Sequence, residues 1–411
     1  MKTDAIIIGA ELDGLVAAAR LQECGYATRI FAGGGSSLHY SPGGVHVLGY
    51  TETGNEAFVT DPLKSIGRLP ETHPYRKIGA DRVRNALAWF AEQARRLQQS
   101  VTMNGTNEFG LSSIGLPVPV LGTGAGQATI AKLKEHTVAI VRFTGHRDFA
   151  ADPIRAELDR LGIDASIVEI APPGPIPENA AMARALDGGG TAQVYFETVK
   201  KKMPRDAGII LFPAVLGLFD HKAVLAAANT VFGLPCLEAP TLPPSIPGMR
   251  MDHALQSHLK IAGAILHQGT RVGGVIGDDG EVTVHDGGGR RYAADTVILA
   301  TGGVLMGGLV VDSHGVVHDT TFGFETFQSD PLAAVSVDHS LAALHDAGIE
   351  TDGELRPVAN GSGTLRNVFV TGRSLAHWNP ATECSADGVS IATGWHAAEN
   401  ARLYLEERRH G

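Results

Sequence analysis

Gly9, Glu11 and Gly14 are the first residues of this 411-residue chain whose types and spacing point to chemistry. They belong to Gly9-Ala10-Glu11-Leu12-Asp13-Gly14, a turn between the apolar run Ala5-Ile6-Ile7-Ile8 and a segment from Leu15 to Leu21 whose small and apolar residues recur at helical spacing. A strand that turns tightly into a helix aims backbone N–H groups and the positive end of the helix dipole at one point, which suits a phosphate. The expected fingerprint is G-x-G-x-x-G, and here its middle glycine is replaced by Glu11, whose long anionic side chain reaches toward the place of a pyrophosphate. The acid expected about 20 residues further on, to hold an adenosine ribose, falls near Ala32, where the chain reads Ala32-Gly33-Gly34-Gly35. A working nucleotide site and an ordinary strand-helix-strand turn without a ligand both remain open from this stretch alone.

The elements that must position this turn are a buried parallel strand ending at Ile8, a helix stopped by Gly25, and a return strand over Ala27 to Phe31. The loop that follows, Gly33 to Gly44, is too rich in glycine and hydroxyl groups for regular structure. Its N–H groups, with Ser36, Ser37 and Ser41, are placed to reach a flavin's phosphate or ribityl chain, or else form a surface turn. His39 and His46 face a substrate or are packed residues. Later, three short strands joined by Asp278-Asp279-Gly280 and Gly287-Gly288-Gly289 form a meander that leads into a buried strand ending in Ala300-Thr301-Gly302-Gly303. This is a second place where the backbone would pass close to a nucleotide. The third is Asn367-Val368-Phe369-Val370-Thr371-Gly372-Arg373. Asp387-Gly388 then starts a last helix, over Val389 to Glu407, with Asp387 an N-cap by residue type. Its dipole is suited to the electron-rich pyrimidine end of an isoalloxazine.

With 44% apolar residues and 51 glycines the chain has material for two domains sharing a large core. A formal net charge of −10 argues against nucleic acid as a partner and leaves a small-molecule substrate, anionic or not, as the expectation. Cys24, Cys236 and Cys384 are too far apart for a C-x-x-C site, so neither an iron–sulfur cluster nor a disulfide framework nor any other metal centre is expected. No apolar run approaches the roughly 18 residues of a membrane helix. The expectation is a cytoplasmic chain with no direct membrane insertion, meeting the inner face of the cell membrane through a partner. The middle of the chain reads as α/β: a helix over Asp81 to Gln99, a loop over Leu111 to Gln127, strands over Val138 to Phe143 and Ala165 to Ile170 flanking a helix over Pro153 to Leu161. A helix over Thr191 to Lys202 and a strand over Gly208 to Phe212 follow. His146 and Arg147 sit where a strand ends, as ligand-binding residues or as an exposed polar loop. Proline-rich Leu234 to Arg250 marks the return, before a helix over Met251 to His267. The expected organisation is a discontinuous flavin-binding domain over residues 1–75 and 250–411 with an inserted domain over 76–249.

The ordered set of glycine turn, meander into Ala-Thr-Gly-Gly, and strand-glycine before a last helix resembles the two-domain flavoprotein fold of the glutathione-reductase type. The fold class is therefore α/β, a Rossmann-like FAD/NAD(P)-binding fold with an inserted α/β substrate or cap domain. Within that group the chain resembles the family of B-type subunits of the anaerobic glycerol-3-phosphate dehydrogenase nearly from end to end. The residues that carry this are Ser36 to Gly44, Pro243-Pro244-Ser245-Ile246-Pro247-Gly248-Met249-Arg250-Met251, Ala300 to Leu309, and Leu355-Arg356-Pro357. The resemblance implies a flavin-bearing subunit that works with a second flavoprotein subunit and an iron–sulfur subunit, passing electrons from sn-glycerol 3-phosphate to quinone. It implies FMN, where the fold by itself suggests FAD; FMN has no adenosine ribose to hold, so the missing acid near Ala32 is compatible with it. The chain departs from the family at Glu11 and at Glu383-Cys384-Ser385-Ala386-Asp387-Gly388, both of which add acid beside a flavin. Gly9, Glu11, Gly14, Ser36, Ser37, Ser41, Thr301, Gly302, Gly372, Asp387 and Gly388 are the expected cofactor-binding residues. Arg250, Arg373 and His377 are the candidates for a substrate phosphate, the flavin edge and proton transfer.

Overall fold

The computed structural model describes residues 3–51, 58–276, 282–329, 344–358 and 365–410. In chain order the strands used below are β1 (Thr3–Ile8), β2 (Thr28–Ala32), β3 (Val101–Leu111), β4 (Pro117–Gly124), β5 (Val138–Phe143), β6 (Ala165–Ile170), β7 (Ile209–Pro213) and β8 (Cys236–Ala239). They continue with β9 (Ile265–Gln268), β10 (Val272–Ile276), β11 (Val282–Asp286), β12 (Arg291–Leu299) and, after short strands among the described residues between Leu309 and Ile349, the strand Val368–Val370. By contacts the chain forms two compact units: Met1–Ser37, His46–Glu92 and Leu255–Gly411 make unit 1, and Leu38–Val45 with Gln93–Ala254 make unit 2. Residues 76–92, expected in the insert, thus cluster with unit 1, and Leu38–Val45 and Arg250–Ala254, expected in the first domain, with unit 2.

Unit 1 is built on one sheet with the order β10-β11-β12-β1-β2-β9, in which Val368–Val370 also pairs with β12. The apolar run Ile6-Ile7-Ile8 is at most 5% exposed because parallel neighbours flank β1 on both sides, Ile7 lying opposite both Ile298 and Ile30. β12 is a single strand where the sequence suggests two. Its first half pairs antiparallel with β11 and its second half parallel with Val368–Val370, so the meander and the Ala-Thr-Gly-Gly strand are one element. The Asp278-Asp279-Gly280 turn lies outside the described residues. The expected helix over Met251 to His267 is shifted: it runs Ile246–Ile261, and His267 belongs to β9, which pairs with β2. Pro247 is tolerated because it falls in the first turn, where N–H groups have no partner within the helix.

Unit 2 carries a four-stranded parallel sheet, β6-β5-β7-β8. Its strands are covered on both faces: Ala139, Val141 and Phe143 pack with Phe196 and Phe212 on one side, while Val138 and Ile140 pack with Ile154 and Leu158 on the other. The segment Leu111 to Gln127 is not a loop. β3 and β4 form a long antiparallel hairpin despite Pro117 and Pro119. Two residues apart on a two-stranded ribbon, both prolines turn their missing N–H to the same open edge. Two of the family-like stretches meet in this unit: Ser245 N–H donates to the His39 carbonyl at 2.7 Å, and His39 Nε2 lies 3.0 Å from Oδ2 of Asp252, just beyond the second stretch.

Arg250, the candidate for a substrate phosphate, is 4% exposed and engaged on every side within unit 2. Nη1 and Nη2 donate to the two carboxylate oxygens of Glu238 at 2.8 and 2.9 Å, and Nε donates to the Gly217 carbonyl at 2.7 Å. Burial by itself would raise the Glu238 pKa; the charges of Arg250 and His221 more than reverse that and hold it below the usual range. Removing one member of such a pair strands a buried charge. Arg250→Ala should therefore cost roughly 3–5 kcal/mol of stability, read from urea unfolding of the full chain, and Arg250→Met with Glu238→Leu should cost much less. A loss below about 1 kcal/mol in the single variant would show that the guanidinium is free for other work.

Candidate functional site

Three strand ends converge at the head of the unit 1 sheet because glycine lets them. Gly9 has φ +115° and donates to the Phe31 carbonyl at 2.7 Å; a Cβ there would lie 1.7 Å from the Ala300 carbonyl oxygen. A Cβ on Gly14 would lie 2.4 Å from the Gly9 oxygen. Gly302 and Gly372 press on the same turn, for their Cβ positions fall 3.2 Å from Glu11 Cγ and 2.4 Å from Asp13 Oδ2. The first, second and third places expected from the sequence are thus one place. Beside them opens a cleft of about 570 Å³, within the range of small-molecule sites, lined by Gly9, Glu11, Gly33, Arg271, Thr301 and Gly307 among others.

Two buried carboxylates occupy the turn. Glu11 is 7% exposed and does not cap the helix Leu12–Glu23; its Oε2 accepts from the Ser37 N–H at 2.9 Å and from the Ser37 hydroxyl. Sequence reasoning favours a charged Glu11 at a helix terminus, but burial is the larger effect and pushes its pKa up to about 7, against the Ser37 hydrogen bonds, with Asp13 adding and Arg373 subtracting. Asp13 is 1% exposed and accepts from the Thr371 hydroxyl at 2.6 Å; burial raises its pKa to about 6. It is the second acid of the six-residue turn, visible in the sequence yet not singled out there. The Thr371 backbone N–H donates to the Leu299 carbonyl at 2.9 Å, tying the third strand end to β12.

The remaining candidates divide. Thr301 shares a 2.8 Å hydrogen bond with Ser374, and Gly372 N–H donates to Thr393 Oγ1 of the last helix at 3.0 Å. Ser36 is buried beside Ser37. Ser41 clusters with unit 2, where its Oγ accepts from Gly43 N–H at 3.4 Å. The last helix runs Ala386–His410, so Asp387 is its second residue and not its N-cap. Asp387 Oδ2 instead accepts from the His46 backbone at 3.1 Å and meets His46 Nδ1 at 2.7 Å, while Gly388 N–H returns a bond to the His46 carbonyl at 2.8 Å. Gly388 is required there, since a Cβ would lie 2.2 Å from the Tyr75 hydroxyl. His377 has φ +66°, its Nε2 lies 2.7 Å from Glu350 Oε1, and its ring centroid is 3.9 Å from that of Phe327. Arg373 makes no side-chain hydrogen bond or ion pair among the described residues, but its charge acts on both Glu11 and Asp13.

The residues present fit a flavin nucleotide: a glycine-cleared turn, a cleft of suitable size and a cation, Arg271, without a partner among the described residues. Glu11 is the one discordant side chain. No single local signal marks Arg271, which reaches the cleft through the long-range pairing of β9 with β2.

The buried acids also set a pH dependence. Both pKa values are raised on folding, so the folded state holds these protons more tightly than the unfolded chain. That stabilisation is full below about pH 4 and is lost as pH rises through about 6 and 7. Glu11→Gln should therefore gain on the order of 1–3 kcal/mol over wild type at pH 8 and nothing at pH 4. Urea unfolding at both pH values measures this; an equal difference at the two would refute it.

The sequence between residues 4 and 389 matches the family model described as the FAD binding domain. A Halobacterium salinarum protein, named as the probable B-type subunit of an anaerobic glycerol-3-phosphate dehydrogenase, is 32% identical over 98% of each chain. The protein named as the B-type subunit of the anaerobic glycerol-3-phosphate dehydrogenase from Aliivibrio fischeri is 26% identical over 97% of this chain and 95% of its own. Among solved structures, 3-ketosteroid delta1-dehydrogenase from Sterolibacterium denitrificans aligns over 98% of this chain and 99% of its own with 10% identity and a TM-score of 0.43. The chain is a flavin oxidoreductase of the FAD-binding-domain family and belongs, within it, to the family of anaerobic glycerol-3-phosphate dehydrogenase B-type subunits.

Proposed function

We propose that this chain is the flavin-bearing subunit of an anaerobic-type glycerol-3-phosphate dehydrogenase complex. In it, electrons from sn-glycerol 3-phosphate pass toward quinone through a second flavoprotein subunit and an iron–sulfur subunit. The observation that carries this reading is the convergence of three glycine-marked strand ends on one cleft. Supporting it is the likeness to B-type relatives along almost the whole chain. A bound flavin supplies a two-electron acceptor.

The chain's own residues would supply the rest. Oxidising a secondary alcohol requires a group that takes the hydroxyl proton, and an imidazole oriented by a carboxylate is suited to that task. His377 is the proposed proton carrier, fixed by Glu350 and by the Phe327 ring. Arg373, its charge near the turn acids, is proposed to face the flavin edge. Arg250, held by Glu238, has a structural task instead. Onward transfer falls to partners: the relatives are named as one subunit of a dehydrogenase, and no helix among the described residues is long and apolar enough to cross a membrane. A second reading, a structural subunit whose flavin site has decayed, is favoured by one observation, the buried Glu11 at the turn.

The two readings separate in the complex purified with its partner subunits. Flavin absorbance should travel with this chain and bleach anaerobically on addition of sn-glycerol 3-phosphate, and the chain alone should not reduce quinone at the rate of the complex. A colourless chain in an active complex would establish the structural reading. Quinone reduction by the chain alone at that rate would remove the dependence on partners.

A further inference from the structure

The charges along the cleft run opposite to the usual dinucleotide pattern, in which an uncharged glycine turn meets phosphate and an acid beyond the second strand meets ribose. Of the residues that line this cleft, Glu11 and Arg271 carry the ionisable side chains, at different places. Glu11 sits at the turn, with Asp13 buried just behind it. At the end of β2, where the acid would be, the chain is Ala32-Gly33-Gly34-Gly35, and Arg271 lies against Gly33. A Cβ on Gly33 would stand 3.0 Å from Arg271 Cγ, and one on Gly307 would stand 3.2 Å from Arg271 Nη1, so the side chain runs between two glycines that leave it room.

Arg271 is exposed at the mouth of the cleft and has no hydrogen bond or ion pair among the described residues. Two neighbouring hydroxyls are already engaged: Thr320 Oγ1 lies 3.2 and 3.0 Å from the Gly307 and Gly308 carbonyl oxygens, and Thr301 pairs with Ser374. A Cβ on Gly34 would meet nothing within 4 Å, so the glycine loop next to Gly33 is open on that side. At the turn an ionised Glu11 opposes a second anion, and its carboxyl is anchored there by Ser37.

We propose that Arg271, and not the amino terminus of the helix Leu12–Glu23, holds a phosphate of the bound flavin nucleotide. The proposal rests on the flavin reading of the cleft and adds where the anion lies. A planar guanidinium presents paired N–H donors that match two phosphate oxygens, whereas the helix terminus has the Glu11 carboxyl beside it. The site is exposed, so its attraction is screened by salt.

The test is a titration of the full chain, stripped of flavin, with riboflavin, FMN and FAD at low and high salt. Wild type should bind FMN more tightly than riboflavin, and the gap should narrow at high salt. Arg271→Ala should lower FMN affinity roughly 10- to 100-fold, to the level of riboflavin, whose own binding is unchanged. Arg271→Lys should recover part of the loss, and Glu11→Gln should alter the FMN-to-riboflavin ratio by no more than a few-fold. Loss of FMN binding alone identifies a phosphate monoester, and parallel loss of FAD identifies a phosphate common to both; either supports the proposal. An FMN preference that survives Arg271→Ala, with melting temperature confirming the fold, overturns it. So does a preference that responds to Glu11→Gln and not to Arg271. Wild type that binds none of the three removes the flavin reading and the proposal with it, a result seen before any variant is made.

Discussion

The architecture of unit 1 depends on the distance at which three strand ends can approach one another. Parallel strands spaced by ordinary hydrogen bonds leave room for side chains above and below the sheet, not for Cβ atoms between a turn and the carbonyl of its neighbour. At Gly9 that separation is so small that any other residue would overlap the Ala300 oxygen. Gly303 repeats the constraint against the Arg373 carbonyl, and Gly394 of the last helix repeats it against Asp13. These contacts link segments that lie far apart in the sequence. A cleft at the carboxyl ends of β1 and β12 follows, because the chain leaves β1 toward β2 on one side and receives β12 on the other, and ligands in such sheets bind where the order reverses.

Much of this was legible in the sequence because the physics is local. Ile6-Ile7-Ile8 before Gly9 reads as a buried strand with a tight turn, and Val83, Leu87, Phe90 and Ala94 read as one helix face that the structure buries to 3% exposure or less. What failed was local reasoning about non-local outcomes. Pro117 and Pro119 argued against a strand, but a ribbon with one open edge places both missing donors where none is needed. Asp387 has the composition of a cap, yet His46, distant in sequence, takes its carboxylate. Arg250 looked available only because Glu238 stands 12 positions earlier on a strand whose partner was unknown.

The same limit explains why charge was harder to read than shape. An acid near a helix terminus is favoured by the dipole by a fraction of a kilocalorie to about 2 kcal/mol. Burial opposes ionisation by more than that, and burial is a property of the assembled turn. With Thr371 and Ser37 as its hydroxyl partners, the turn holds two acids whose protons titrate near neutrality, so its charge is set by pH and by what approaches it.

The three fingerprint positions also separate three physical demands that a motif states as one. At Gly9 the demand is conformational as well as steric, since φ is +115°. Gly14 answers to packing alone, its missing Cβ letting the helix Leu12–Glu23 lie against the Gly9 oxygen. Glu11 has φ −75° and ψ 170°, an extended conformation open to any residue, so nothing in the fold asks for glycine there. The glycine usual at that position serves a ligand that comes close to the backbone. A chain can therefore exchange it for an acid and keep the fold intact, and the consequence falls wholly on where a phosphate comes to rest.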